Sequence, residues 1–312
     1  METMKAIRMH AYGGPDVLVY EDAPSPSPGP GEVHIRIYAA GVNPGDWKVR
    51  EGYFREMINH SLPLIPGWDL SGVIETLGTG VAGFKKGDEV YSRSDITRDG
   101  AYAEFIVVRE SEVVFKPKSI DHIHAAAIPL AALTAWQALF GAAQLKPRQS
   151  VLIHAAAGGV GSFAVQLAKW KGAHVIGTAS GRNQDFVRNL GADEAVNYEK
   201  TRFEDVVRGV DVVLDTMGGD VQKRSWKVLK KSGILVSIIS EPSGEEASAH
   251  EVRQAFVFAQ PHVGQLTEIA MLVDSGKLKP IVETVLPLSQ ARRAHELIQA
   301  GHTRGKIVLR VV

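Results

Sequence analysis

Cysteine is absent from all 312 residues. That excludes a disulfide framework, thiolate chemistry and every zinc site built on sulfur, and it fits a reducing cytoplasm. Charge imbalance is lacking too: 35 basic and 35 acidic side chains leave no net field to draw the protein to nucleic acid or to an anionic membrane. Met1-Glu-Thr-Met-Lys5 has neither a basic n-region nor an apolar h-region, so no signal peptide is expected. The longest apolar stretch, Ala125 to Ala143, approaches membrane length. It is alanine-rich and holds Pro129, Thr134 and Gln137, which suits a buried core helix and not a span. The histidines lack metal-ligand spacing: His122 and His124 diverge on a helix, and His295-Glu-Leu-Ile-Gln299 lacks the second histidine of a zincin motif. What remains is an ordinary globular composition, 45% apolar and 22% charged, in a chain long enough for two domains.

The positive signals centre on Val151-Leu-Ile-His-Ala-Ala-Ala-Gly-Gly-Val-Gly-Ser162. An apolar strand runs into glycines at 158, 159 and 161, and a helix-period pattern starts at once behind them. Strand, tight turn and helix in that order form a nucleotide-binding βαβ unit. Glycine suits the turn because a Cβ would hold a pyrophosphate away from the N–H groups at the helix N-terminus. Ala156 stands where the first glycine of G-x-G-x-x-G would fall, so Ala157, Gly158, Gly159, Val160 and Gly161 are the expected phosphate-lining residues. About 20 residues further on, a carboxylate would meet the ribose 2′-hydroxyl of NAD(H). The sequence there, Thr178-Ala-Ser-Gly-Arg-Asn183, holds no acid. Ser180 and Arg182 suit a 2′-phosphate, so NADP(H) is the expected cofactor. Two alternatives stay open: Arg182 as a solvated residue at a helix start, and Tyr198 either as a further phosphate ligand or as a half-buried strand tyrosine.

Residues 4 to 116 read as short strands (5–9, 17–21, 32–39, 72–77, 89–92, 103–108 and 113–116) separated by Gly/Pro turns, the pattern of a compact barrel or sandwich. From about 121 the pattern changes. Asp121 can cap a helix running to Leu145, and five strands (151–155, 174–178, 194–198, 210–215 and 234–239) alternate with helical segments, implying a doubly wound parallel sheet. Beyond 262 come a helix, a strand, a helix and a terminal strand, expected to return to the first domain. The domain bounds are therefore 1–122, 123–262 and 263–312.

With this unit behind an N-terminal β domain, the chain resembles the medium-chain dehydrogenase/reductase superfamily, and within it the zinc-independent quinone oxidoreductase branch. The carriers are Tyr12-Gly-Gly-Pro15, Ala40-Gly-Val-Asn-Pro-Gly-Asp46, Pro66-Gly-Trp-Asp-Leu-Ser-Gly72, Gly87-Asp-Glu-Val-Tyr91, Ala132-Leu-Thr-Ala-Trp-Gln-Ala-Leu139, the glycine turn and Arg304-Gly-Lys-Ile-Val-Leu309. They span essentially the whole length. The resemblance implies an α/β protein with a GroES-like β-rich catalytic domain made from both chain ends, and a Rossmann cofactor domain between them. Metal-dependent relatives carry cysteine and histidine in the segments where this chain has Asn43 and Trp68, neither of which replaces thiolate or imidazole at a tetrahedral site.

The resemblance also places Asn43 against the nicotinamide end and Thr134 near its ribose or phosphate. Thr216, Gly218, Ser237 and the segment Phe256-Val257-Phe258 would edge the nicotinamide pocket. The Phe256 segment has a competing role, edge-to-edge pairing in a homodimer. Tyr53 is the candidate to meet the substrate oxygen or donate a proton, against a tyrosine that merely covers a loop. Arg304 and Lys306 either close over the cofactor or form an exposed turn. Asp46 and Asp69 read as structural, and His154 as a satisfied strand-end histidine. Without zinc as Lewis acid, hydride transfer suits an acceptor that spreads the incoming charge itself: a quinone or an α,β-unsaturated carbonyl. A non-catalytic NADPH-binding protein is the rival reading. A short-chain dehydrogenase is excluded because no tyrosine has lysine four residues on.

Overall fold

The structure, a computed structural model, describes residues 2–312 and divides into two compact units. One contains Met1–Leu130, Pro261–Gly276 and Pro280–Val312; the other contains Ala131–Gln260 with Lys277–Lys279.

The first unit opens with β1 (Thr3–Met9), β2 (Leu18–Pro24), β3 (Glu32–Val42), α1 (Pro44–Arg50), β4 (Asp69–Leu77), β5 (Glu89–Arg93), β6 (Phe105–Arg109), β7 (Val113–Phe115) and α2 (His122–Ala126). Strand alternation explains the core: Val33, Ile35 and Ile37 of β3 are fully buried, while Arg36 between them is exposed. α3 (Pro129–Trp136) then carries the chain onward.

The second unit holds β8 (Ser150–Ile153), α4 (Gly159–Trp170), β9 (His174–Ala179), α5 (Gln184–Asn189), β10 (Glu194–Asn197), α6 (Phe203–Val206), β11 (Val210–Asp215), α7 (Gly219–Ser225), β12 (Leu229–Ser237), α8 (Gly244–Ala249) and β13 (Arg253–Phe256). Its six strands are all parallel, in the order β10-β9-β8-β11-β12-β13. The winding direction reverses between β8 and β11. In such a sheet that reversal leaves a crevice beyond the strand C-termini, where ligands bind.

The chain returns through α9 (Val263–Asp274), β14 (Val282–Pro287), α10 (Ala291–Gln299) and β15 (Lys306–Arg310). β15 pairs antiparallel with β3, placing Ile307 opposite Val42 and Leu309 opposite Ala40, so the last strand is stitched to the first unit.

Three expectations change. The junction lies at Leu130 and not at 122, because α2 packs on β3 and β4 of the first unit. The expected helix from Asp121 to Leu145 is interrupted. Asp121 does cap α2, its carboxylate accepting the His124 N–H at 2.8 Å, but Pro129 has no N–H to continue the ladder and starts α3 afresh. A π-helical turn over Gln137–Ala142 follows. The parallel sheet has six strands where five were expected, the sixth being the four-residue, polar β13 at its edge.

Candidate functional site

The glycine turn lies at the C-terminal end of β8, beside the strand-order reversal. The N–H of Ala156 is tied to Thr178 O at 2.9 Å on β9, and that of His154 to Leu214 O at 3.1 Å on β11. Gly158 is the extended N-cap of α4, and no side chain caps the helix. The helical ladder starts with Ser162 N–H donating to Gly158 O at 2.9 Å, so the N–H groups of Gly159, Val160 and Gly161 lie ahead of it. Three unclaimed amides at the positive end of a 12-residue helix suit a pyrophosphate. Gly161 holds turn and helix together: a Cβ there would stand 2.2 Å from Ala155 O. The departure at Ala156 has a counterpart on the next strand. A Cβ at Gly177 would meet the Ala156 methyl at 2.7 Å, so the missing glycine of the fingerprint is supplied by β9. His154 is structural, as expected. Its ring nitrogens bond Thr178 Oγ1 at 3.2 Å and Ser225 Oγ at 2.9 Å, and burial pushes its pKa down to about 4.

At the ends of β11 and β12, Thr216, Gly218 and Ser237 come together around a residue the sequence reading passed over. The buried Asp215 carboxylate accepts the N–H groups of Met217 at 2.9 Å and Gly218 at 2.8 Å, the Gln222 amide at 2.9 Å and the Ser237 hydroxyl at 2.9 Å. Thr216 donates to His154 O at 2.8 Å, linking this rim to the glycine turn. Val257 N–H donates to Ser237 O at 2.9 Å, which brings the Phe256-Val257-Phe258 segment alongside, with both phenylalanine rings exposed. Thr134 is buried in the same unit. Aspartate at a strand end was a legible signal. Its convergence of four donors needed the fold.

The end of β9 carries Ser180, whose hydroxyl accepts the Asn183 amide at 3.1 Å, and the exposed Arg182 in the following turn. Tyr198 is exposed, not half-buried, and its N–H donates to Ala179 O at 3.3 Å. An acid does reach this strand end. Glu199, 18 residues beyond Gly181 in sequence, accepts the Gly181 N–H at 2.7 Å. This carboxylate arrives from the segment after β10, and not from the one that follows β9 in sequence.

The first unit gathers a different set. Asn43, at the N-cap of α1, donates through Nδ2 to Asp69 Oδ2 at 2.8 Å, and its backbone N–H donates to Asp46 Oδ2, also at 2.8 Å. Tyr102 OH donates to the same Asp46 oxygen at 2.8 Å, and Asp69 Oδ1 accepts Leu130 N–H at 2.9 Å. Lys306, the first residue of β15, donates to Val42 O at 2.9 Å and to Asn43 Oδ1, with its ammonium 3.9 Å from Asp69. All five side chains are buried. Burial raises the Asp46 carboxyl to about 7, against the hydrogen bonds from Asn43 and Tyr102. It also raises Asp69 and lowers Lys306, while their mutual attraction opposes both shifts. Asp46 and Asp69 are thus parts of one internal framework. Lys306 does not lie on an exposed turn: it is buried, and the pairing of Ile307 with Val42 brings its ammonium onto Val42 O and Asn43 Oδ1. Arg304 sits on the turn before it, its N–H bonded to Glu283 at 2.7 Å. Tyr53 lies outside the network, exposed and edge-on to Trp47 at 5.7 Å.

A zinc ion does not fit these donors. Asn43 is committed on both side-chain atoms, Trp68 is buried with its indole N–H on Arg98 O at 3.0 Å, and the local cation is an ammonium. Among the described residues no three His, Cys, Asp or Glu side chains gather in a metal-holding group.

Known proteins share this organisation. Residues 29–118 match the family described as "Alcohol dehydrogenase GroES-like domain", and residues 190–309 the one described as "Zinc-binding dehydrogenase". The chain is 34% identical to the "NAD(P)H oxidoreductase RTN4IP1, mitochondrial" of Danio rerio, over 99% of this chain and 92% of that protein. It is 33% identical to the "Quinone-oxidoreductase homolog, chloroplastic" of Spinacia oleracea, over 98% of each. The solved quinone oxidoreductase of Coxiella burnetii superposes with a TM-score of 0.93 at 36% identity, covering all of both chains. The first two names place those relatives in organelles. Among the described residues of this chain, no helix is long and apolar enough to cross a membrane.

Proposed function

The chain belongs to the medium-chain dehydrogenase/reductase superfamily, in its quinone oxidoreductase branch, and on that premise we propose that it is a zinc-independent, NADPH-dependent reductase of quinones or α,β-unsaturated ketones and aldehydes. The observation that carries the reading is the uncapped N-terminus of α4 at the strand-order reversal, where Gly159, Val160 and Gly161 offer their N–H groups. Arg182 and Ser180 favour the 2′-phosphorylated dinucleotide. The bound cofactor would supply the hydride. Gly218 and Ser237, fixed by Asp215, and Thr216, fixed on His154 O, would shape the surface against which its ring is held.

Zinc independence rests on Lys306. An alkoxide needs an electrophile at the reacting oxygen, and the ammonium that stands under Asn43 is spent on Val42 O and the Asn43 carboxamide. An acceptor that delocalises its own charge needs only one or two hydrogen bonds. Tyr53 is the exposed phenol that could give one. A cysteine-free chain suits a reducing compartment such as the cytoplasm. The exposed Phe256, which ends edge strand β13, and Phe258 just beyond it suit pairing with a second copy.

One observation favours a second reading, a non-catalytic NADPH-binding protein: Asn43 has both side-chain atoms engaged internally. Loss of reduced-nicotinamide absorbance with phenanthrenequinone, benzoquinone, an alkenal and an enone separates the two. Turnover of any acceptor supports the reductase. NADPH binding without turnover of any of them supports the second reading.

A further inference from the structure

Resting on the dinucleotide reading above, we infer that Glu199 sets how strongly this protein distinguishes NADPH from NADH. The end of β9 is where a doubly wound sheet recognises the adenosine ribose, through a carboxylate for the 2′-hydroxyl or a cation for the 2′-phosphate. This chain presents both. Arg182 comes from the turn that follows β9, and Glu199 comes from the segment after β10, with its carboxylate oxygen on the Gly181 N–H at 2.7 Å. A Cβ at Gly181 would lie 3.2 Å from that oxygen and 3.0 Å from the Asn197 amide, so the glycine lets the carboxylate close onto the strand end.

Two consequences follow from charge alone. The Gly181 N–H is a donor that a 2′-phosphate could use, and Glu199 holds it. The carboxylate also stands as a like charge beside any phosphate bound there. A 2′-hydroxyl meets neither obstacle, since the second carboxylate oxygen can accept its hydrogen. Glu199 therefore works against Arg182 and keeps NADH a usable cofactor.

The test is fluorescence titration of wild-type protein and Glu199→Gln with NADPH and with NADH, at low and high salt. Glutamine keeps an oxygen for the Gly181 N–H, so the fold at this exposed position is preserved. The expected result is an NADPH affinity about tenfold higher in the variant at low salt, an NADH affinity unchanged or weaker, and a smaller NADPH gain at high salt. A purely structural residue would shift both cofactors together. An unchanged NADPH-to-NADH affinity ratio overturns the inference and leaves the reductase reading intact. Failure of the wild type to bind either cofactor overturns both.

Discussion

At the N-terminus of α4 the second unit leaves backbone donors uncovered, whereas around Asn43 the first unit ties Asp46, Asp69 and Lys306 to buried polar neighbours. The turn is made of glycine, alanine and valine, and its recognition chemistry is main-chain geometry. The network is made of side chains from α1, β4, β15 and the segment before β6, and its order comes from charges held out of water. Backbone sites tolerate little added bulk. Buried charge networks tolerate little lost charge, because removal of one partner leaves the other unpaired in a low dielectric.

The largest effect separating the two regions is expected at Lys306. Lys306→Met leaves Asp69 buried without its cation and should lower stability by about 3–5 kcal/mol in urea unfolding. Restoration of stability by adding Asp69→Asn would sharpen the case, and a single variant of wild-type stability would break it.

Acid should separate the regions next. His154 in the second unit is held neutral, its pKa lowered by burial to about 4 from 6.5, so the unfolded chain binds the extra proton first. Its stabilising contribution is complete above about 6.5 and is lost as pH falls toward 4. In the first unit His295 behaves alike, lowered to about 3, and its Nδ1 lies 3.1 Å from Arg50. Asp46 has the opposite sign: raised to about 7 from 3.8, it favours the folded state at low pH and loses that contribution as pH rises toward 7. The two first-unit groups therefore oppose each other in mild acid, and His154 has no such counterweight. His154→Asn should flatten the acid limb of the Tm profile by on the order of 2–3 kcal/mol near pH 4. Asp46→Asn should flatten the neutral limb instead.

A smaller effect is expected at the end of β9. Arg182→Ala should weaken NADPH by about tenfold and leave NADH unchanged in the same titrations. Smallest is Tyr53→Phe, with a loss of only a few-fold in kcat/KM if water donates the proton. A loss above about 10³ would show the phenol to be essential.

How much was legible follows the same division. The turn is local: strand, glycines and helix lie within 20 residues, and their roles follow from spacing. The parallel sheet was readable from alternation, except for β13, too short and polar to show a period. The network is not local. Asn43, Asp69 and Lys306 are marked by family resemblance, but their contact spans 263 residues of sequence and depends on the register of β15 on β3. Glu199 was missed because its partner lies on the neighbouring strand's turn. Asp215 was missed because an aspartate closing a strand does not reveal which donors will converge on it.

Titration of NADPH into wild-type protein and Gly159→Val decides whether the α4 N-terminus holds a dinucleotide pyrophosphate. NADPH should bind the wild type, and its affinity should be weaker by on the order of tenfold or more in a variant with wild-type circular dichroism. Equal affinity in the folded variant would contradict that assignment.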